Sequence, residues 1–141
     1  MARTTTRTVL FAMVIAVIAL STVAALPAAA DADSADRSVN DTTLEPGDTA
    51  EITVTVEMDA SGDDLTLTET FNGEVQSASL QGVTVDGQSV SPAFDQIDSN
   101  GAVASLTSTG TNATVEFTYV VQATGNTGNI SIDGDVDSGG N

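Results

Sequence analysis

Past residue 38, apolar and polar positions alternate in short runs separated by turn-forming residues. In Glu51-Ile-Thr-Val-Thr-Val-Glu-Met58, an extended chain puts Ile52, Val54, Val56 and Met58 on one side and Thr53, Thr55 and Glu57 on the other. Thr114-Val-Glu-Phe-Thr-Tyr-Val-Val121 repeats the pattern, with Val115, Phe117, Tyr119 and Val121 facing one way. No window carries helical spacing long enough for a helix. Further strands are predicted at Leu65–Phe71, Val75–Leu80, Val83–Val85, Gln88–Val90 and Ala102–Leu106, with Ile130 and Ile132 marking a last one.

The breaks between these runs carry turn chemistry. Asn72-Gly73, Asp86-Gly87 and Asn100-Gly101 offer the positive φ angles of tight hairpins, and Glu45-Pro46-Gly47-Asp48 fits a type II turn. About eight short strands at this spacing predict an all-β fold, a two-sheet immunoglobulin-like sandwich over residues 38–136, with a barrel as the alternative closure. The polar flanks, residues 31–37 and 137–141, are expected as an acidic flexible linker and a flexible tail.

The first 30 residues follow another pattern. Arg3 and Arg7 lead into Val9-Leu-Phe-Ala-Met-Val-Ile-Ala-Val-Ile-Ala-Leu20, and Pro27-Ala28-Ala29-Ala30 closes the segment. A basic start, an apolar stretch and an A-x-A end describe a signal-peptide helix, cut between Ala30 and Asp31, with Ala30-Asp31-Ala32 as a second cleavage option. The competing reading is an uncleaved anchor, since Val9–Leu26 is 18 residues long, near the lower limit for a spanning helix. Membrane contact is expected only through such an uncleaved leader.

Charge divides the chain at the same place. All 20 acidic residues follow Ala30, and Arg37 is the only basic residue that does. A field of that sign repels phosphates and anionic headgroups, which excludes nucleic acid as a partner. The complete lack of Lys points to adaptation to high salt, where the Debye length falls from about 10 Å at 0.1 M to about 3 Å at 1 M and self-repulsion fades. There is no Cys to form disulfides, and no His or Trp.

That inventory leaves carboxylates as the acid–base groups. Glu69 alternates with Leu65, Leu67 and Phe71 on the predicted inward face, so burial would raise its pKa; a rim position or a bulge that turns it outward is the expected resolution. With one such residue and no partner, no enzyme is expected. Asp133, Asp135 and Asp137 stand at alternate positions like the first half of a calcium loop, although Ser138 replaces the turn glycine and no acid stands at the twelfth position. Calcium is thus the one candidate cofactor. Asn40-Asp-Thr42, Asn112-Ala-Thr114 and Asn129-Ile-Ser131 are N-glycosylation sequons, meaningful if the chain is exported.

The run Glu45-Pro-Gly-Asp-Thr-Ala-Glu-Ile-Thr-Val-Thr-Val56, then Leu65–Phe71 and Ala113–Val121, resembles secreted cohesin-like or immunoglobulin-like β-sandwich modules of haloarchaeal surface proteins, and Gly128-Asn-Ile-Ser-Ile-Asp-Gly134 is similar to their closing strand. The resemblance implies a sandwich fold and a place outside the cell. The expectation is a non-catalytic cell-surface or extracellular module that contacts proteins or glycans, with self-association as a further outcome. A small calcium-binding or carbohydrate-acting secreted protein is the alternative.

Overall fold

The computed structural model describes residues 16–20, 32–60, 64–125 and 129–138. These residues form eleven strands and no helix: β1 (Ala16–Leu20), β2 (Ala32–Val39), β3 (Thr43–Leu44), β4 (Thr49–Met58), β5 (Leu65–Gly73), β6 (Val75–Val85), β7 (Gln88–Val90), β8 (Phe94–Asp98), β9 (Gly101–Leu106), β10 (Thr114–Ala123) and β11 (Asn129–Asp137). One sheet runs β3-β1-β11-β5-β9-β8 and the other β2-β4-β10-β6-β7, giving a two-sheet sandwich. Every pairing is antiparallel except that of β1 with β11.

The period-two pattern is what closes the sandwich. β4 buries Ala50, Ile52, Val54, Val56 and Met58, and β10 buries Val115, Phe117, Tyr119, Val121 and Ala123. The register sets Val54 beside Phe117 and Ile52 beside Tyr119. Leu65, Leu67, Phe71, Ile130, Ile132 and Val136 face them from the other sheet. Each such aliphatic or aromatic side chain contributes about 1.5–3 kcal/mol when fully buried, which lets the fold stand without disulfides.

Several boundaries differ from the sequence reading. Val75–Leu80 and Val83–Val85 belong to one strand, β6, interrupted by a bulge: Tyr119 pairs with Leu80 and Thr118 with Gly82, leaving Gln81 extra. The extra residue restores the phase, so that Leu80 and Val83, three apart, both turn toward the core. Residues 31–37 were expected as a flexible linker; instead Ala32–Val39 is an edge strand on β4, with Arg37 opposite Val54 and therefore facing inward. The tail shortens too, because Asp137 ends β11 and Ser138 is buried. β3 and β8 add strands too short or too polar to stand out in the pattern.

The turns agree with prediction at three places. Asp86 and Gly87 take φ values of 50° and 78° between β6 and β7, and at Glu45–Asp48 the Asp48 N–H donates to the Glu45 carbonyl at 3.0 Å. Gly73 has φ 99°, and a Cβ there would overlap the Asn129 carbonyl, so glycine is required both by conformation and by space. At Asn100-Gly101 no positive φ is used. The β8–β9 hairpin pairs Asp98 with Gly101, so Ser99 and Asn100 form the turn.

The leader differs from expectation where it is described. Ala16–Leu20 is not helical but a strand, parallel to β11 and antiparallel to β3. Its Val and Ile content suits an extended chain, and the two neighbours give its backbone groups partners. The remainder of the leader, including the cleavage pair Ala30 and Asp31, lies outside the described residues.

Candidate functional site

The one basic residue after the leader lies inside the sandwich. Arg37 reaches from edge strand β2 across to the opposite sheet, where its Nη2 donates to Glu69 Oε1 at 2.8 Å and Oε2 at 2.7 Å. Its Nη1 donates to the Ile132 carbonyl at 3.1 Å. Both side chains of the pair are 0% exposed. The register shows how the space is made: Glu69 stands between Gly134 on β11 and Ala102 on β9, two small residues on its own face. A Cβ at Gly134 would overlap Arg37 Nη2 and crowd the Glu69 carboxylate.

Tyr119 completes the cluster from β10. Its ring packs against Phe71 with centroids 5.5 Å apart and planes at 33°, and its buried hydroxyl lies close enough to Glu69 and Arg37 to feel both charges. Burial raises the Glu69 pKa above its ordinary 4.5, against the Arg37 hydrogen bonds and charge and the Tyr119 hydroxyl, which lower it; the charge of Asp133 adds to the rise. Burial, and then the negative charge of Glu69, raise the Tyr119 pKa well above 10.0.

Glu69 therefore does not turn outward as expected: β5 runs without a bulge, and the residue is 2% exposed. Arg37 offsets only part of the cost of burying it, and the net pKa stays raised. Both Glu69 oxygens accept from the one Arg37 Nη2, so the carboxylate is held in a buried ion pair. The arrangement ties three strands across the two sheets. On β2, Ala35, Arg37 and Val39 alternate on the inward side and are all half-buried.

The calcium half-loop does not form. Asp133, Asp135 and Asp137 sit on β11 opposite Thr70, Thr68 and Thr66 and are exposed. Alternate strand positions lie roughly 6.5–7 Å apart, so the three carboxylates form a row and cannot converge on one ion whose ligands must stand about 2.3–2.6 Å away. Among the described residues no three acidic groups are placed to hold a metal.

The three sequon asparagines, Asn40, Asn112 and Asn129, are exposed. Asn40 follows β2, and its Oδ1 accepts from the Glu51 N–H at 2.7 Å. Asn112 occupies a turn at φ 52°, and Asn129 begins β11.

A shallow groove of about 300 Å³ crosses the outer face of the six-stranded sheet, over Gly101 and Val103 and between Thr68, Gln96, Asp98 and Asn100. Phe94 lies on the same face as Gln96 and Asp98, opposite Ser105, and at 51% exposure it is the one exposed large hydrophobic among the described residues. An aromatic ring next to the Gln96 amide and opposite the Ser105 hydroxyl can stack on an apolar surface while its neighbours hydrogen-bond.

Comparison with known proteins finds no family, no curated protein and no solved structure that matches this chain.

Proposed function

We propose that the chain is an exported, non-catalytic module, secreted or held at the cell envelope and adapted to high salt, that contacts proteins or glycans through the outer face of its six-stranded sheet. The observation that carries this reading is Phe94, exposed on the same sheet face as the shallow groove. Phe94 stands opposite Ser105 and next to Gln96 on that face, so a ring, a hydroxyl and an amide lie together where a partner could stack and hydrogen-bond. The leader pattern supports export, and the engagement of Glu69, the one inward acid–base candidate, in a buried ion pair supports a binding role. The resemblance to haloarchaeal surface modules is in keeping with both.

A pull-down from envelope extract at native salt tests the reading. The chain should retain a specific protein or polysaccharide, and Phe94→Ala should weaken that retention at least tenfold, corresponding to the roughly 1.4 kcal/mol or more of a contact at the centre of an interface. Equal retention by the Phe94→Ala variant removes this face from the proposal. A hydrolase activity that stays with the folded chain through successive purification steps contradicts the non-catalytic role.

A further inference from the structure

The two sides of β11 are covered by very different strands. Along one side β5 pairs with Ile130–Asp137; along the other β1 pairs only with Asn129–Ile132. Among the described residues β1 is also the only strand that pairs with β3, through Ala16 with Leu44 and Val17 with Thr43. Ala16–Leu20 precedes the expected cut between Ala30 and Asp31. Removing the leader thus takes β1 away, strips the ladder from one side of Asn129–Ile132, and puts the buried Ile130 and Ile132 at a sheet edge.

We propose that leader removal uncovers this stretch of β11 as a docking edge for a second copy of the chain, paired antiparallel about a two-fold axis at Ser131. The inference rests on the reading that the chain is exported and its leader removed.

The edge is self-complementary in that register. Residues directly opposite in an antiparallel pair share a face, so a two-fold at Ser131 sets Ile130 against Ile132 of the second copy, both on the core side. It sets Asn129 against Asp133, so no carboxylate meets a carboxylate within the stretch. Shifting by one residue would oppose Ile to Ser and put the apolar pair on different faces. The row formed by Asp135 and Asp137 lies beyond the stretch that β1 covered. A two-fold contact uses the same edge on both partners and closes on itself, so it predicts a dimer and no fibre. Molar salt screens the repulsion between two acidic bodies, leaving the backbone ladder and the isoleucine pair to hold them.

The chain has no cysteine, so one introduced thiol reports the contact. In Ser131→Cys, oxidation of secreted material with copper phenanthroline at native salt should give a disulfide-linked dimer, because opposed residues in an antiparallel pair have Cα atoms about 4.5–5.5 Å apart, within disulfide range. The same substitution in a chain with Ala28→Leu and Ala30→Leu, which keep the leader attached, should give none. Unsubstituted secreted protein should sediment at twice its chain mass, and Ser131→Asp, which opposes two carboxylates, should return it to monomer. A monomeric chain whose intact mass begins at Asp31 overturns the dimer alone. Cross-linking that is equal with the leader retained overturns the role of processing. An intact mass that still includes residues 1–30 overturns both the leader reading and the inference.

Discussion

Tyr119 is the only phenol in a chain that has no Lys and no Cys, so above pH 9 almost nothing else titrates. Its folded pKa is raised above the ordinary 10.0. A group raised in this way contributes stability that is complete below pH 10.0 and is lost as pH climbs through the folded value, because the unfolded phenol ionises first. Urea melts should therefore show stability falling as pH rises above 10, with phenolate absorbance appearing together with unfolding. Tyr119→Phe should flatten that fall; an unchanged slope would place the alkaline sensitivity elsewhere. Glu69, also raised, behaves alike in its own range: stability present below pH 4.5 declines as pH rises through its folded pKa. At molar salt, which mutes the other carboxylates, Glu69→Gln should lose that decline. Breaking the fully buried pair from either side, by Glu69→Gln or Arg37→Met, should cost about 3–5 kcal/mol in chemical denaturation. The double variant Arg37→Met with Glu69→Leu should recover most of it, since no charge is then left without its partner. Additive losses in the double variant would show that the pair is not the unit of stability.

At the level of elements, two glycines with similar φ separate conformation from crowding. Gly47 has φ 85° with open space where a Cβ would stand, whereas Gly73 has φ 99° and its Cβ would meet the Asn129 carbonyl. Gly47→Ala should cost about 1–2 kcal/mol, the left-handed penalty alone. Gly73→Ala should cost measurably more, because the start of β11 must shift as well; equal midpoints in urea would mean that β11 yields freely. These elements also show what the sequence made legible. β4 and β10 were plain because each inward position is apolar, and period two needs nothing more. β2 was hidden because its inward set is Ala35, Arg37 and Val39: a charged residue at an inward position reads as solvated until a buried partner is known, and Glu69 is 32 residues away. Glu69 could be placed inward by alternation, but its partner could not be named from either strand alone. β8 escaped because Ile97 is its one apolar residue on the inner side, and Phe94 faces out. The calcium reading failed for the complementary reason: alternate acids fit a loop or a strand equally well on paper, and only the pairing of β11 with β5 decides between them.

For the molecule as a whole, the position of Arg37 changes the meaning of the composition. With that residue buried against Glu69, every charged side chain after the leader that reaches solvent is acidic, so surface ion pairs cannot offset the repulsion. Two kinds of electrostatics then coexist with opposite responses to salt. Surface repulsion is screened as the Debye length shrinks from about 10 Å to about 3 Å between 0.1 M and 1 M, while a pair at 2.7 Å inside the core is shielded from mobile ions. Stability measured by thermal and urea melts should rise steadily with sodium chloride into the molar range. The loss caused by Glu69→Gln should stay near about 3–5 kcal/mol at every salt concentration where both proteins fold. Equal stability in dilute buffer and at molar salt would refute adaptation to salt. A Glu69→Gln loss that shrinks in parallel with added salt would instead mean that ions reach the pair, and that the sandwich opens along β2 in the native state.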